Sequence, residues 1–283
     1  MFVSPQEYFR AHGVSPRKRF GQHFLIQPKT AERIVESAEL CPSDVVIEVG
    51  PGLGALTRFI LPKVKQLHLV ELDRDLAAFL EMNLPAGGCR VSLYQQDILK
   101  LDFCALAQCE GERLVVLGNL PYNISSPLVF RLLESRCCVK RAVIMVQREV
   151  GERLTASPGG KDYGVLSVLL GVYARTKSLF VVGPGQFYPP PAVDSVVILI
   201  DFSDDLPCSG PSFAFLRSLV NTCFQQRRKT LLNSLKSLAG KDASLLLDAL
   251  LANGIDPKRR PETLSAGEFV CLAKALETRG VAE

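Results

Sequence analysis

Residues 46–54 read Val-Ile-Glu-Val-Gly-Pro-Gly-Leu-Gly. An apolar strand pattern runs directly into a turn that carries glycine at positions 50, 52 and 54. Glycine adopts positive φ and lets a backbone approach a ligand closely, and doubly wound α/β folds bind nucleotides at the turn after a parallel strand. The spacing is G-x-G-x-G rather than the G-x-G-x-x-G of dinucleotide sites, and the sequence has no P-loop motif. The stretch therefore predicts an α/β fold with a nucleotide-like ligand at this turn.

Short apolar runs alternate with helical patterns around this turn. Strand patterns cover residues 45–49, 67–70, 91–94, 114–117 and 142–146, and helical patterns cover residues 28–39, 56–61, 75–84, 127–134 and 149–155. Such alternation predicts a doubly wound, mostly parallel sheet with helices on both faces. Residues 163–173 read as a further helix, and residues 179–182 and 195–202 as two last strands that suit an antiparallel edge.

The composition changes near residue 204. Residues 204–211 are polar and rich in turn formers, and the helical patterns beyond them, at residues 213–223, 229–238, 243–252 and 266–276, have little strand character. We therefore predict a larger domain over residues 1–203 and a small all-α domain over residues 204–283.

One carboxylate lies at or near the end of each of three successive predicted strands. Glu48 precedes the glycine turn, Glu71 ends the second strand and Asp97 follows the third. A carboxylate at the second position can accept both hydroxyls of a ribose, and one at the third can accept an adenine amine. This pattern is typical of class I methyltransferases that bind S-adenosylmethionine. Turn-capping acids and an NAD-linked oxidoreductase are the alternatives for this segment.

A tetrapeptide follows the fourth predicted strand: Asn119-Leu120-Pro121-Tyr122. It is similar to the [DNS]-x-P-[YFW] motif of methyltransferases that modify planar amines in nucleic acids. Such an amine is a poor nucleophile, and hydrogen bonds from its N–H groups to the Asn119 side-chain oxygen and the Leu120 carbonyl favour a pyramidal nitrogen. Pro121 stiffens the turn, and Tyr122 offers a face for an extruded base. An ordinary turn after a strand is the alternative.

A second aromatic stretch, Phe-Tyr-Pro-Pro-Pro-Ala-Val-Asp-Ser, begins at Phe187. Its three prolines hold the chain extended. Phe187 is a candidate to sandwich the extruded base opposite Tyr122, and a rigid connector to the last strand is the simpler interpretation.

Composition excludes several other classes of protein. The chain has 283 residues, of which 47% are hydrophobic and 22% charged, and it shows neither a membrane-span pattern nor a signal-peptide pattern. Nine cysteines without regular spacing indicate reduced thiols and a cytoplasmic location, and three scattered histidines indicate no metal site. Residues 1–20 and 205–283 each carry a net charge of +3 and the remainder −2, which is compatible with a polyanionic partner.

With these motifs together, the chain resembles the ribosomal RNA adenine dimethyltransferase family, and most closely its small-subunit branch. The resemblance runs from about residue 16 to the C-terminus. It also includes the stretches Lys-Arg-Phe-Gly-Gln-His-Phe-Leu at 18–25 and Gln-Arg-Glu-Val at 147–150. It implies a Rossmann-like class I methyltransferase domain over residues 1–203, S-adenosylmethionine as cofactor, and dimethylation of two adjacent adenosines near the 3′ end of the RNA.

The resemblance also implies roles for individual residues. The implied cofactor-binding residues are Gln22, His23, Leu25, Gly50, Gly52, Glu71, Asp97 and Asn119. Many relatives carry Asn where this chain has His23, a change that backbone contacts survive. The implied RNA-binding residues are Arg17, Lys18, Arg19, Arg227, Arg228 and Lys229. The helical domain is expected to seat the enzyme on an assembling small subunit, and a solvated helix face is the alternative for its basic run.

Two rival functions stay open at this point. One is a large-subunit RNA adenine methyltransferase of the antibiotic-resistance type, which shares the fold and the tetrapeptide type. The other is a non-catalytic assembly factor that keeps the fold. The intact set of candidate residues favours an enzyme, and we expect a monomer.

Overall fold

The computed structural model describes residues 3–17, 21–85, 87–202, 211–226, 229–236 and 243–279. Internal contacts divide the chain into two compact units, each of which is described by itself. The first comprises Met1–Gly151 and Thr176–Ser203, and the second comprises Glu152–Arg175 and Asp204–Glu283.

The strands of the first unit are β1 (Phe24–Leu25), β2 (Val45–Val49), β3 (Gln66–Glu71), β4 (Arg90–Gln95), β5 (Leu114–Asn119), β6 (Val139–Gln147), β7 (Arg175–Val182), β8 (Phe187–Tyr188) and β9 (Ser195–Asp201). Seven of them form one sheet in the order β4-β3-β2-β5-β6-β9-β7, and β1 pairs with β8 in a separate two-stranded sheet.

The main sheet has the parallel centre that the sequence predicts. β2 is buried at all five residues and pairs in parallel with β3 and β5, as expected for a strand covered on both sides. β4 and β6 continue the parallel pairing outward, and β9 runs antiparallel to β6. The predicted alternation and antiparallel last strand are therefore confirmed, with β5 extending further than predicted, to Asn119.

The helices along this part of the chain are α1 (Pro5–His12), α2 (Pro28–Glu36), α3 (Thr57–Ile60), α4 (Arg74–Asn83), α5 (Phe103–Glu110), α6 (Ser125–Glu134) and α7 (Arg148–Leu154). Ile34 and Val35 of α2 share a buried core with Val46 and Leu67 of the sheet. The sequence analysis missed α1 and α5, although each begins at a capping residue: Ser4 with Glu7 in a capping box, and Asp102.

The second unit is helical. It contains α8 (Val165–Tyr173), α9 (Phe213–Gln225), α10 (Leu231–Leu235), α11 (Ala243–Ala252) and α12 (Ala266–Glu277). Gly171 of α8 approaches Ala266 so closely that a β-carbon would lie 3.1 Å from the alanine methyl. Residues 152–175 thus group with the helices, whereas the sequence analysis places them in the first domain. The boundary predicted between residues 203 and 204 lies outside the described residues and stays a prediction.

The cysteines differ in part from the expectation of reduced thiols. Cys104 at the start of α5 and Cys138 before β6 form a disulfide with a Cα–Cα distance of 5.2 Å. The two residues are 34 positions apart, so only the fold brings them together. The described part of the chain contains no group of three or more His, Cys, Asp or Glu residues arranged for a metal ion. Among the same residues, no helix combines the length and hydropathy that crossing a bilayer requires.

Candidate active site

A cavity of about 540 Å³ lies at the carboxyl ends of the central strands of the first unit. Clefts of this size accommodate small molecules and cofactors. The sequence-predicted residues that line it are Gln22, His23, Leu25, Gly50, Gly52, Glu71, Asp97, Asn119, Leu120, Pro121 and Tyr122. Residues spread over a hundred positions of sequence therefore face one space, because the parallel strands all end at the same edge of the sheet.

The glycine turn between β2 and α3 forms one wall of the cavity. Gly50, Gly52 and Gly54 have φ of 62°, 58° and 83°, in the left-handed region. A β-carbon on Gly52 would also lie 3.1 Å from the ring of Phe24 in β1. The turn therefore needs glycine for its conformation, and at Gly52 also for space beneath the two-stranded sheet.

Glu71, at the end of β3, is held in place by the backbone. Its carboxylate accepts hydrogen bonds from the Gly52 amide at 3.0 Å and the Asp73 amide at 2.9 Å. Burial raises the pKa of the Glu71 carboxyl despite these bonds. The Leu72 amide is a third backbone donor to this group, so the carboxyl is held in one orientation, with lone-pair capacity left for a ligand in the cavity.

Asp97 and two apolar side chains define the next part of the cavity. Asp97 accepts a hydrogen bond from the Leu99 amide at 2.9 Å through Oδ1, and its Oδ2 has no partner among the described residues. Leu72 and Ile98, each next to one of the predicted acids, also line the cavity, and Leu72 is 51% exposed. The sequence analysis missed both, although their positions beside Glu71 and Asp97 were available as a signal.

Glu48 occupies the floor beneath the glycine turn. It is 1% exposed, and Thr57 of α3 donates a hydrogen bond of 2.7 Å to its Oε2. Burial raises the pKa of the Glu48 carboxyl to about 8. The hydrogen bond with Thr57 joins β2 to α3 beneath the glycine turn.

Asn119 ends β5 at the rim of the cavity, and its amide has one defined orientation. Nδ2 lies 2.8 Å from the backbone carbonyl of His23. A carbonyl can only accept a hydrogen bond, so the amide nitrogen must face it. The side-chain oxygen therefore points away from His23 and is available as an acceptor.

Tyr122 stands beside Asn119 and is held from two directions. Its hydroxyl is 3.0 Å from Oγ of Ser195, a fully buried residue at the start of β9. Its ring stacks on that of His23, with centroids 5.3 Å apart and an interplanar angle of 28°. Burial raises the pKa of the Tyr122 phenol. The hydroxyl thus fixes the ring in place, and His23 in turn donates from Nδ1 to the Pro189 carbonyl at 2.8 Å.

Phe187 does not lie where the sequence analysis expected a base-stacking ring. It is 3% exposed, packs in the core with Leu25 and Ile34, and is not among the residues that line the cavity. The reason is its pairing: Phe187 is opposite Leu25 in the β1–β8 ladder, and its side chain is buried on the core side. This position agrees with a rigid connector, and the base-stacking role of Phe187 stays a prediction.

Arg17 also differs from the expectation of a free phosphate-binding cation. Its guanidinium pairs with Asp73 at 2.7 Å and with Asp75, and its amide donates to Gln22. Gln22 in turn donates to Asp73 at 2.9 Å. These contacts join Arg17 and Gln22, which precede β1, to the turn between β3 and α4. Of the other predicted RNA-binding residues, Lys229 is exposed, and Lys18, Arg19, Arg227 and Arg228 lie outside the described residues.

The segment before α1 is a part of the site that the sequence analysis missed. Val3, Ser4 and Pro5 line the cavity. Tyr8 and Phe9 of α1 pack in an aromatic cluster with Phe24 and Phe79. The helix thereby covers one side of the cavity, which only the packing of distant aromatic residues reveals.

The chain is similar in sequence to ribosomal RNA methyltransferases. Residues 13–278 match the family model described as "Ribosomal RNA adenine dimethylase". Proteins named "Ribosomal RNA small subunit methyltransferase A" from Syntrophotalea carbinolica and Nitrosococcus oceani are 46% and 45% identical; each alignment covers 93% of this chain, and 97% and 96% of those proteins.

Two solved structures share the fold. A dimethyladenosine transferase from Plasmodium falciparum has a TM-score of 0.79 and 26% identity, and covers 91% of this chain and 98% of its own. The 23S rRNA methyltransferase ErmE has a TM-score of 0.68 and 26% identity, and the match covers 90% of this chain and 99% of ErmE. The predicted class I methyltransferase fold is confirmed, and this chain belongs to the ribosomal RNA adenine dimethylase family.

Proposed function

We propose that this chain transfers methyl groups from S-adenosylmethionine to the exocyclic amines of two adjacent adenosines near the 3′ end of small-subunit ribosomal RNA. The observation that carries the proposal is the oriented amide of Asn119, whose oxygen is left free at the rim of the cavity. The choice of RNA is supported by the relatives named as small-subunit methyltransferases, which align over nearly their whole length.

The residues of the cavity fit the cofactor. Glu71 is oriented by backbone donors and keeps acceptor capacity for a ribose hydroxyl, and Asp97 has an oxygen without a partner among the described residues for an adenine amine. Leu72 and Ile98 offer apolar surface in the cavity for a flat ring. The glycine turn leaves room for a ligand against its backbone. When bound, the cofactor supplies an electrophilic methyl group on a sulfonium.

The tetrapeptide Asn119-Leu120-Pro121-Tyr122 acts on the exocyclic amine of the target adenosine. In the first transfer, the Asn119 oxygen and the Leu120 carbonyl would accept hydrogen bonds from the two N–H groups of the amine, which directs the nitrogen lone pair toward the cofactor side of the cavity. The nitrogen then loses a proton to solvent. In the second transfer a single N–H remains, for one of the two acceptors. The ring of Tyr122, fixed by Ser195, supports the extruded base. Orientation and hydrogen bonding thus provide the rate enhancement, without a strong general base.

The contacts with RNA are proposed for charged residues of both units. Lys229 is exposed, and Arg227 and Arg228 precede it in the sequence; Lys18 and Arg19 belong to the basic run near the N-terminus. Phosphate contacts of this kind provide affinity and salt sensitivity but no sequence specificity. We place the enzyme, as a monomer, on assembling small subunits in the cytoplasm, with residues 204–283 helping to seat it.

Methyl transfer to purified ribosomal subunits tests this function. Labelled S-adenosylmethionine is incubated with unmethylated small subunits, mature small subunits and large subunits. We expect dimethyladenosine only in the unmethylated small subunits, and at least about tenfold less of it with Asn119→Ala at matched enzyme concentration and time. Label in the large subunit would assign the chain to the resistance-type activity. Cofactor binding without any transfer would identify a non-catalytic assembly factor.

A further inference from the structure

Arg58 is a cavity-lining residue for which neither the sequence motifs nor the proposed chemistry provides a role. It belongs to α3, and its amide donates to the Gly54 carbonyl at 3.3 Å, so it stands one helical turn after the glycine turn. Long side chains on a helix lean toward its N-terminus. The guanidinium is therefore carried back toward the glycine turn, along the wall of the cavity.

The guanidinium of Arg58 lacks an anionic partner in the described part of the protein. No described carboxylate lies within ion-pair distance, Nε is buried without a hydrogen-bond acceptor, and the ring of the adjacent Phe59 is 4.8 Å away. Burial lowers the pKa of Arg58, yet a guanidinium stays charged at any physiological pH. The Nε of Arg58 belongs to a residue that lines the cavity, where a ligand group can supply the missing acceptor.

The surrounding charges define what that group is. Glu71 and Asp97 lie at the ends of β3 and β4, which the sheet order places on the far side of β2 from β5. Arg58 instead follows β2, on a helix that packs against α2, and it lines the cavity together with Ile26 and Pro28. The adenosine half of the cofactor is uncharged, and the only anion in the cofactor is the α-carboxylate of its amino-acid half.

We propose that Arg58 binds the α-carboxylate of S-adenosylmethionine. The guanidinium matches a carboxylate in shape and charge and forms the stronger, charge-assisted kind of hydrogen bond. It would give the Nε donor its acceptor and select cofactors that keep an intact amino-acid end. This assignment rests on the proposed function, since it concerns the cofactor of that reaction.

The test compares two ligands that differ only in the carboxylate. Dissociation constants for S-adenosylmethionine and decarboxylated S-adenosylmethionine are measured by calorimetry, without RNA, for the wild-type protein, Arg58→Met and Arg58→Lys. Arg74→Met is the matched control, because Arg74 is 81% exposed and does not line the cavity.

We expect Arg58→Met to weaken S-adenosylmethionine about 10- to 100-fold, the range for a hydrogen bond to a charged group, and to change the decarboxylated ligand less than about twofold. Arg58→Lys should lie between, and Arg74→Met should have no effect. Retained binding of the decarboxylated ligand shows that the variant is folded.

Equal weakening of both ligands would overturn the assignment and make Arg58 a structural residue. Unaltered cofactor binding, with a reduced salt dependence of RNA binding, would also overturn it and place Arg58 on a phosphate. Absence of S-adenosylmethionine binding by the wild-type protein would overturn the proposed function as well, which distinguishes the two failures.

Discussion

The side-chain nitrogen of Asn119 donates a hydrogen bond of 2.8 Å to the backbone carbonyl of His23. The two residues are 96 positions apart, one at the end of β5 and the other just before β1. Because the acceptor is a backbone atom, any residue at position 23 can supply it. The contact links the segment before β1 to the motif Asn119-Leu120-Pro121-Tyr122. It also decides which atom of the Asn119 amide is left for a substrate.

Asn119→Ala removes the proposed acceptor while leaving the rest of the cavity in place. We expect cofactor affinity to fall only modestly and turnover to fall at least about tenfold, the scale of one transition-state hydrogen bond. Single-turnover methylation and calorimetric cofactor binding measure the two effects separately. Turnover equal to that of the wild type would remove Asn119 from the catalytic mechanism.

Asn119→Asp distinguishes orientation from simple acceptor capacity. An ionised carboxylate still accepts from the target amine but cannot donate to the His23 carbonyl, so two acceptors face each other at 2.8 Å. We expect turnover below that of the wild type in the same single-turnover assay. If the Asp variant is fully active, the contact with His23 has no part in orienting the group.

Tyr122→Phe and Tyr122→Ala separate the hydroxyl of this residue from its ring. The Phe variant loses only the contact with Ser195 and keeps the stacking surface, so we expect a reduction in turnover of less than about tenfold, the scale of one neutral hydrogen bond. The Ala variant loses the surface for the base, for which stacking contributes about 1–3 kcal/mol. The KM for RNA and kcat are measured for both. A Phe variant as impaired as the Ala variant would mean that the hydroxyl, not the ring, is essential.

Arg17→Met tests whether this residue closes the cofactor site or contacts RNA. Its guanidinium is committed to Asp73 and Asp75, so we expect faster cofactor dissociation and an unchanged salt dependence of subunit binding. Simultaneous replacement of Arg227, Arg228 and Lys229 should give the opposite result, with the logarithmic salt slope reduced by at most about three units. Stopped-flow measurement of cofactor dissociation, and subunit binding at several salt concentrations, distinguish the two sets of variants. A reduced salt slope for Arg17→Met would instead show that Arg17 contacts RNA phosphates.

Glu48→Gln should stabilise the protein, and more so at high pH. The folded state holds the Glu48 proton up to about pH 8, whereas the ordinary pKa is 4.5. Stability is therefore lost as pH rises between these values, because the unfolded chain releases the proton first. Gln keeps an acceptor for Thr57 but has no proton to release. The variant therefore avoids this pH-dependent loss of stability, which is on the order of a few kcal/mol.

Melting temperatures of the Glu48→Gln variant and the wild type at pH 5.5 and pH 9 measure this effect. We expect Glu48→Gln to melt at a higher temperature than the wild type at both pH values, with the larger difference, of several degrees, at pH 9. Glu32→Gln, on the exposed face of α2, is the control for the loss of one charge. A gain that does not grow with pH would contradict the raised pKa of Glu48.

Much of the fold could be predicted because its signals are local. The buried strand 45–49, the glycine turn and the alternating apolar runs depend on periodicity and on the conformations open to glycine, which neighbouring residues reveal. Helix α1 was missed although its capping box is equally local, because its aromatic face is explained only by Phe24 and Phe79. The grouping of residues 152–175 with the helical unit depends on packing against α9 and α12, which no local pattern records.

The sequence by itself determined the chemistry available to this protein: the acids at Glu71 and Asp97, the glycine turn and the motif that begins at Asn119. Residue types and their order along parallel strands are enough for this, because the parallel strands end at one edge of the sheet. Only the tertiary structure decided how each side chain is used. It buried Phe187 in the core, paired Arg17 with two aspartates and left Arg58 without an anionic partner among the residues that the structure describes. Burial and pairing depend on residues far away in the chain, which meet only when it folds.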